Sequence, residues 1–439
     1  MHKRAYGVVA ASGVFALALS ACGSSTPTPS SNTAAPVGAV TETTTAAPAP
    51  AADSTAAPVR DANVDLVIWT DNDRAPAVKK YADLFGAEQG IKVQVQVAPD
   101  VRANFKDATN AGKGPDIIVG AHDWLGELVQ NNAVSPIALP TDVQAQFSPE
   151  SIGATKFNGQ IYGVPYAVEN IALVRNKALA PNAPKSYEDM IANGQKLMGE
   201  KKADGVVVQE VGKTGNAYYT YPYLKAFGGG IFAQGANGDY DPNKVIVDSP
   251  GSIKGAEQLA KLGKEKVLST NVDSTNADAL FDSGKYPYYI TGPWAIDKAK
   301  KANIDYAISP LPTIAGGQMS PFLGIQMFYV SAKAKNKAFA EEFVLKYVTK
   351  KEMQVDLFNI GHRPPALTAA YDEVKTTDPD VESWFEAGKG ALPMPNIPAM
   401  NAVWGPLGQA GADVISGKAA PKARFDAAQK EIVANIKKG

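Results

Sequence analysis

Strand-like and helix-like segments alternate near the start of the long globular part of the chain, and this order constrains the fold most. Residues 66–69 form an apolar run typical of a buried strand, and residues 75–89 place apolar side chains at helical spacing. Residues 91–97 alternate strictly, a helical stretch lies around residues 103–111, and residues 116–119 form a third apolar run. This β-α-β-α-β order predicts a doubly wound, mainly parallel sheet.

Polar side chains follow the first and third of these predicted strands. Residues 71–74 read Asp-Asn-Asp-Arg, and residues 121–124 read Ala-His-Asp-Trp. Because ligands of open α/β sheets bind beyond the carboxyl ends of the strands, we expect both loops to border one binding site. Asp71, Asp73 and Asp123 could instead only cap the helices that follow them.

The middle of the chain, roughly residues 170–322, alternates helix and strand patterns again and is rich in tyrosine. The tyrosines form two groups, Tyr218, Tyr219, Tyr221 and Tyr223, then Tyr286, Tyr288 and Tyr289 before Gly292-Pro293-Trp294. Two rings of the first group need face a ligand; the alternative is that this group only forms a half-buried strand face. Residues 423–438 form a final amphipathic helix. We expect two α/β lobes with more than one crossing between them.

The N-terminus has the features of an export signal. A basic start and an apolar run over residues 8–19 precede Leu-Ser-Ala-Cys, and Cys22 is the only cysteine. This stretch resembles the lipobox of bacterial lipoproteins, which implies a signal peptide over residues 1–21 and a lipid on Cys22. Residues 22–61 are rich in Ser, Thr, Pro and Ala, so we expect a disordered tether at the cell membrane. A plain secretory signal is the alternative.

Composition argues against several other classes of function. The net charge is −1 and the sequence has no basic run, so we expect no nucleic-acid partner. The three histidines, His2, His122 and His362, are too scattered for a zinc site. Residues 239–243 imitate the start of a calcium loop but lack its glycine and its closing glutamate. We expect neither a cofactor nor a metal.

The sequence resembles the maltose/maltodextrin-binding proteins, solute-binding components of ABC importers, over about residues 64–437. The resemblance rests on Gly114-Pro115-Asp116-Ile117-Ile118, Ala121-His122-Asp123, Pro165-Tyr166-Ala167-Val168-Glu169, Gly292-Pro293-Trp294 and Met394-Pro395-Asn396-Ile397-Pro398. It implies a two-lobe periplasmic-binding-protein-like α/β fold, each lobe a mainly parallel sheet flanked by helices, with the ligand cleft between lobes. The implied first lobe takes residues 62–167 and 326–372, and the second takes residues 172–322 and 378–439.

The resemblance also assigns candidate site residues. Those implied as polar sugar contacts are Asp71, Asp73, Arg74, Asp123 and Glu169; the implied aromatic surfaces are Tyr218, Tyr219, Trp294 and Trp404, with Met394 at the floor of the cleft. Positions that depart from the family pattern are Gly120, Trp124, Asn216, Asp71, Gly405 and Gly408. Trp124 can supply an aromatic surface from another side of the cleft. These departures leave sugar binding in place but change the expected length and linkage of the ligand.

The chemistry of these residues agrees with sugar binding. Carboxylates accept charge-assisted hydrogen bonds from hydroxyl groups, and aromatic rings cover the apolar C–H faces of a pyranose. The resemblance implies a monomer at the extracytoplasmic face of the membrane that delivers maltose or maltodextrins to ABC permease subunits. The alternatives are a receptor for another oligosaccharide such as trehalose, a surface adhesin or sensor, and a glycoside hydrolase that uses two of the carboxylates.

Overall fold

The computed structural model describes residues 57–235 and 239–438. The expected signal peptide, Cys22 and most of the expected tether lie outside these residues. The strands of the described part are β1 (Leu66–Thr70), β2 (Val93–Val97), β3 (Ile117–Ala121), β4 (Lys156–Phe157), β5 (Gln160–Ile161), β6 (Gly163–Glu169), β7 (Ala172–Asn176), β8 (Val207–Gln209), β9 (Phe232–Gln234), β10 (Tyr240–Val245), β11 (Tyr288–Thr291), β12 (Tyr306–Ser309), β13 (Thr313–Ile314), β14 (Gly317–Gln318), β15 (Phe322–Val330) and β16 (Leu392–Pro393).

Helices connect and cover these strands. The α-helices of the same residues are α1 (Ala75–Gln89), α2 (Val101–Asn110), α3 (Leu125–Gln130), α4 (Thr141–Gln144), α5 (Pro149–Ala154), α6 (Tyr187–Gly199), α7 (Ala217–Lys225), α8 (Pro250–Lys264), α9 (Ala277–Asp282), α10 (Ile296–Lys301), α11 (Lys337–Phe343), α12 (Lys351–Gly361), α13 (Thr368–Val374), α14 (Asp380–Gly388), α15 (Trp404–Ile415) and α16 (Pro421–Ile436). None of these described helices has the length and hydropathy needed to cross a membrane.

The first large sheet has the order β16-β15-β3-β1-β2. Strand β6 also belongs to it and pairs with the edge of β15 that faces away from β3. Strands β1, β2 and β3 are parallel, as the β-α-β-α-β pattern predicts. Strand β15 runs antiparallel to both β3 and β6. All five residues of β1 are buried because helices pack on both faces of the sheet. The carboxyl ends of β1 and β3 therefore meet at one edge.

The second large sheet has the order β12-β7-β11-β8 and is mixed rather than mainly parallel. Only β8 and β11 run parallel, whereas β7 lies antiparallel to both of its neighbours, β11 and β12. The expectation of a mainly parallel second sheet is therefore wrong. Apolar patterning reports that a strand is buried, but it does not report the strand's direction, so the sequence could not reveal this difference.

The chain passes between the two sheets at three places. Asn170 and Ile171 connect β6 of the first sheet to β7 of the second. The β13–β14 hairpin leads back from β12 into β15. The third passage lies between α13, whose Ala370 packs in the core of the first sheet, and α14, whose Trp384 packs in a core of the second. The division into the two implied lobes remains a prediction.

Local patterns predicted several elements correctly. Helix α1 spans Ala75–Gln89, and Gly90 ends it with a φ of 67°, a left-handed conformation that glycine adopts without strain. The alternative of a strand for the first tyrosine group is wrong, because the group lies on helix α7. The Asn216 side chain accepts a hydrogen bond from the Tyr218 backbone N–H and so caps this helix.

Residues 57–61 belong to the folded body rather than to the expected tether. The Arg60 side chain is buried, and its Nη1 lies 2.6 Å from Oδ2 of the fully buried Asp116. Asp116 also accepts hydrogen bonds from the backbone N–H groups of Val67 and Lys335. A buried carboxylate needs such partners, and here they fasten the N-terminal segment to the first sheet.

Candidate functional site

The loop after β1 holds an arginine between polar groups. Arg74 is buried and pairs with Asp71, and its Nε donates a hydrogen bond to the Tyr166 hydroxyl. Burial alone lowers the pKa of Arg74, but Tyr166 and Asp71 outweigh it and raise that pKa above its ordinary value. Arg74 is therefore a fixed cation at the strand end. Asp73 is exposed in the same loop.

The charge of Asp73 acts on a lysine of helix α10, which covers the second sheet. The pKa of Lys298 is raised mainly by its hydrogen bond to Asp278, and the charge of Asp73 adds to the effect.

The loop after β3 brings a buried carboxylate to the same region. Residues His122–Trp124 form a 3-10 turn, and Asp123 is only 5% exposed. Nη1 of Arg102, on α2, lies 3.3 Å from Asp123 Oδ2. Trp404 Nε1, from the start of α15, donates to the same oxygen at 3.2 Å. Asp123 therefore connects groups that belong to both large sheets, and it does not act as a simple helix cap.

Trp124 occupies space that a glycine leaves free. A Cβ built on Gly120 would lie 1.9 Å from Cζ3 of the Trp124 ring, so the ring lies directly over this glycine. Two of the departures from the family pattern, Gly120 and Trp124, are thus physically coupled. The half-buried ring packs against the core formed by Trp69 and Phe105.

The loop after β11 repeats this arrangement with a second tryptophan. A Cβ on Gly292 would lie 2.2 Å from ring carbons of Trp294, which sits in the 3-10 turn Pro293–Ala295. The Tyr218 ring centroid lies 6.4 Å from that of Trp294. The Tyr218 hydroxyl is buried and has no hydrogen-bond partner among the described residues. Burial, and next the charge of Glu169, raise the pKa of Tyr218 well above its ordinary value, so this hydroxyl stays protonated.

Glu169 lies at the end of β6, where the chain leaves the first sheet. Its Oε2 lies 2.6 Å from Nε of Arg363, and its Oε1 accepts a 2.7 Å hydrogen bond from Gln326 Nε2. The Arg363 guanidinium carbon lies 5.6 Å from the centroid of the Trp294 ring. We call Glu169, Gln326 and Arg363 the glutamate cluster. It connects the first crossing to the aromatic pair of Trp294 and Tyr218.

The site residues implied by the resemblance differ in how exposed their side chains are. Tyr219 is 3% exposed and donates to Glu210 Oε1 at 3.2 Å, while Met394 is 6% exposed and packs in the core of the second sheet. Their side chains are less accessible than the half-buried rings of Trp294 and Trp404. The structure brings Asp123 and Trp404 together, and it brings Tyr218 and Trp294 together.

Sequence reasoning missed three residues at this site: Arg102, Gln326 and Arg363. A buried carboxylate requires a cationic or hydrogen-bonding partner, which was the available signal. The identity of the partner was not readable, because Arg363 follows Glu169 by 194 positions.

His122 joins the β3 loop to the segment after β16. Its Nε2 lies 3.0 Å from the Met394 carbonyl oxygen, and its Nδ1 accepts a hydrogen bond from the Ile325 N–H. Burial lowers the pKa of His122, so the neutral imidazole with its proton on Nε2 satisfies both partners. The residue is structural in this arrangement. The described residues contain no group of three or more His, Cys, Asp or Glu placed to hold a metal ion.

Comparison with known proteins agrees with this architecture. Residues 80–386, more than half of the chain, match the family described as bacterial extracellular solute-binding proteins. The chain belongs to this family. The solute-binding protein is 28% identical over 382 residues to a galactooligosaccharide-binding protein of Bacillus subtilis, covering 85% of this chain and 90% of that one.

Other relatives of the solute-binding protein have names that refer to glucose oligomers. It is 27% identical to a maltotriose-binding protein of Pyrococcus abyssi, over 72% of this chain and 69% of that protein. It is 28% identical to a maltooligosaccharide ABC transporter solute-binding lipoprotein of Streptococcus pneumoniae R6, over 81% of this chain and 84% of that protein. These similarities extend over most of each chain.

Proposed function

We propose that the protein is a lipid-anchored, extracytoplasmic receptor that captures α-linked glucose oligosaccharides and delivers them to an ABC permease. The observation on which this rests is the convergence of two kinds of group from both sheets. Asp123 and Glu169 supply carboxylates, and Trp294, Tyr218 and Trp404 supply rings beside them. Such a combination suits a sugar, whose hydroxyl edge and C–H faces require different partners.

Capture would proceed by exchange of hydrogen bonds. Asp123 Oδ2 already accepts a bond from Trp404 Nε1, which shows that this carboxylate can be reached from the second sheet. A sugar hydroxyl would donate to Asp123 beside Trp404 Nε1 or in its place. The rings of Trp404 on α15 and Trp294 after β11 would then cover the pyranose faces. Because such a ligand touches both sides, it favours the state in which they are close.

The ion pairs favour binding over hydrolysis. A glycoside hydrolase needs one carboxylic acid that delivers a proton and a second carboxylate across the bond. Asp123 and Glu169 each interact closely with an arginine, Arg102 and Arg363 respectively. We therefore infer a receptor rather than an enzyme, and incubation with maltotriose for a day should yield neither glucose nor maltose.

A receptor for galactooligosaccharides is the second candidate. One observation favours it: the similarity to the galactooligosaccharide-binding protein covers 90% of that protein's length. The space near Gly405, where a Cβ would have no neighbour within 4 Å, gives room for a ligand that extends past Trp404. The same carboxylates and rings would then bind the sugar, but the site would select galactose oligomers over glucose oligomers.

A titration of the folded body with a panel of sugars tests the proposal. We expect maltotriose or a longer maltodextrin to bind with a Kd of about 1 μM, or roughly −8 kcal/mol, and to change tryptophan fluorescence. The panel includes maltose, maltodextrins, trehalose, β- and α-galactooligosaccharides, sucrose and cyclodextrin. Tighter binding of a galactooligosaccharide would select the second candidate. No heat with any of these sugars would refute both.

The membrane anchor and the permease need separate tests. We infer the anchor from Cys22 and the apolar run before it. Cys22→Ser should move the protein from the membrane fraction to the soluble fraction of its host, without changing sugar affinity. Deletion of the gene should abolish uptake of the sugar that binds best, and retained uptake would argue against the transport role. We propose that the receptor acts as a monomer, which light scattering with and without sugar can check.

A further inference from the structure

A cavity lies beside the crossings of the chain, on a different face from the site described above. Its volume is about 370 Å³, within the usual range for small-molecule sites. It is lined by Val168 and Asn170 from the first crossing, Leu323 from the second, and Tyr371 and Trp384 from the helices on either side of the third. We call this cavity the crossing pocket. Segments at all three passages between the two sheets contribute to its lining.

The crossing pocket and the glutamate cluster occupy opposite faces of the same strands. Successive side chains of a strand point to opposite faces, and Glu169 lies between Val168 and Asn170, both of which line the pocket. Strand β15 shows the same division, because Leu323 lines the pocket while a Cβ on Gly324 would lie 3.0 Å from Glu169 Cγ. The pocket is therefore separate from the candidate sugar site but shares its strands.

The lining indicates what kind of molecule would fit. Phe385 is 57% exposed at the pocket, and the Tyr371 ring centroid lies 6.0 Å from that of Phe385. Trp384 is buried in the lining, and its Nε1–H has no hydrogen-bond partner among the described residues. The rings of this lining offer flat apolar surfaces that suit an aromatic ligand.

One cation stands at the same pocket. The Lys389 side chain is 70% exposed, and its partner Glu386 is 3.6 Å away, at the edge of ion-pair distance. Flat rings and a weakly paired ammonium group together match a planar aromatic molecule that bears a carboxylate.

We propose that the crossing pocket binds a small planar aromatic carboxylate and that this ligand raises the affinity of the candidate site for sugar. The second half of this inference rests on the proposed function. Because segments at each passage between the two sheets line the pocket, a change in the placement of the sheets would reshape it, so a molecule that fills it favours the arrangement in which Asp123 contacts Trp404. Coupling between two binding sites is reciprocal, so sugar should also strengthen binding in the pocket.

The test uses 2-naphthoate as the probe and the five indole N–H resonances of ¹⁵N-tryptophan-labelled protein. Trp384→Phe assigns the resonance of the pocket. We expect 2-naphthoate to shift the Trp384 resonance in a saturable manner and the Trp404 resonance to follow with the same midpoint, because the Trp404 N–H donates to Asp123 in the stabilised conformation. Shifts confined to Trp294 and Trp404 would place the probe in the sugar site and overturn the proposal. The absence of any shift at millimolar probe would do the same.

A filling variant and a matched control locate the effect. Thr368→Phe extends an exposed side chain that lines the pocket, whereas Thr376→Phe makes the same change at an exposed threonine outside the lining. We expect Thr368→Phe to weaken naphthoate binding at least about tenfold and Thr376→Phe to leave it unchanged. Ala391→Leu is a second filling variant if the first unfolds. Equal affinity of all variants for naphthoate would contradict the proposal that naphthoate binds in the crossing pocket.

The sugar response separates this inference from the proposed function. With saturating naphthoate, the Kd for maltotriose should fall about threefold in the unmodified protein and remain unchanged in Thr368→Phe. An unchanged Kd in the unmodified protein would overturn the coupling. If no sugar binds at all, the proposed function fails, while the Trp384 shift still decides whether the pocket takes its ligand.

Discussion

The loops that follow β3 and β11 are built alike but supply different chemistry. Each begins at a glycine near the strand's end, continues into a 3-10 turn and folds a tryptophan ring back over that glycine. The β3 loop pairs this ring, Trp124, with the buried carboxylate of Asp123. The β11 loop pairs its ring, Trp294, with a second ring, Tyr218.

The comparison shows that the same backbone conformation, a glycine followed by a 3-10 turn, can support both polar and apolar contacts. In each loop the glycine is required because the tryptophan ring occupies the place of its Cβ. What differs is the helix that packs against the loop. Helix α2 brings Arg102 to the β3 loop, whereas α7 brings Tyr218 to the β11 loop. The surrounding helix therefore decides whether the site gains a charge pair or a ring pair.

Removal of each tryptophan should have unequal effects. We expect Trp294→Ala to weaken sugar binding at least about tenfold, about 1.4 kcal/mol, because this ring lies between Tyr218 and the glutamate cluster. Trp124→Ala should weaken it only about threefold, since that ring also packs against the first core. Calorimetry measures both, with thermal melts to verify folding. Unchanged affinity in Trp294→Ala would show that this ring belongs to the core alone.

Addition of one methyl group at each glycine tests the shared backbone conformation. In Gly120→Ala and Gly292→Ala the new Cβ would lie within 2.2 Å of ring carbons, so each ring must move. We expect sugar affinity to fall about fivefold, close to 1 kcal/mol, and tryptophan fluorescence to change. Gly199→Ala is the control, because its Cβ meets nothing within 4 Å at the end of helix α6. An equal loss in the control would remove the argument for ring displacement.

Loss of Arg102 tests what is specific to the β3 loop. We expect Arg102→Met to weaken sugar binding about threefold, because Asp123 loses a partner that orients it. Lys106→Met is a matched control on the same helix, since Lys106 pairs with Glu127 and not with Asp123. Titration of both variants in parallel measures the difference. If both lose affinity equally, the net charge of α2 matters and the position of Arg102 does not.

The sequence predicted secondary structure from patterns within a few residues. It did not predict which side chains that are distant in the sequence contact each other. The periodicity of residues 75–89 and the glycine after them predicted α1 to the residue, because helix signals are local. The resemblance implied Glu169 as a sugar contact, and the structure shows this carboxylate in an ion pair beside the candidate site. Its partner, Arg363, comes from a loop 194 positions away, and only the packed fold brings the two together.

Helix α7 shows a second limit of sequence reasoning. Four tyrosines within six positions favour a strand by intrinsic preference, yet they form a helix that packs on the second core. Tertiary packing outweighed local propensity here. Only Tyr218 of this group then lies beside Trp294, and the site depends on that one ring rather than on the whole cluster.

The smallest effect should come from pH, through the imidazole that positions the β3 loop. Burial lowers the pKa of His122 below its value in the unfolded chain, about 6.5. As the pH falls through that value, the unfolded chain takes up the proton first, so the free energy of unfolding decreases toward lower pH. Sugar affinity should change less than about twofold between roughly pH 8 and pH 6.5, because His122 stays neutral in the folded protein.

Urea denaturation between about pH 7.5 and pH 5.5 measures this loss of stability. Burial lowers the pKa of His362 and raises that of Asp282 to about 6, so the double variant His362→Gln, Asp282→Asn removes both contributions from the same pH range. We expect the decrease to persist in this double variant, since the Met394 carbonyl and the Ile325 N–H match only the neutral ring of His122. A free energy of unfolding that is independent of pH in this variant would show that His122 tolerates its proton. The β3 loop would then owe its position to the pairing of Asp123 alone.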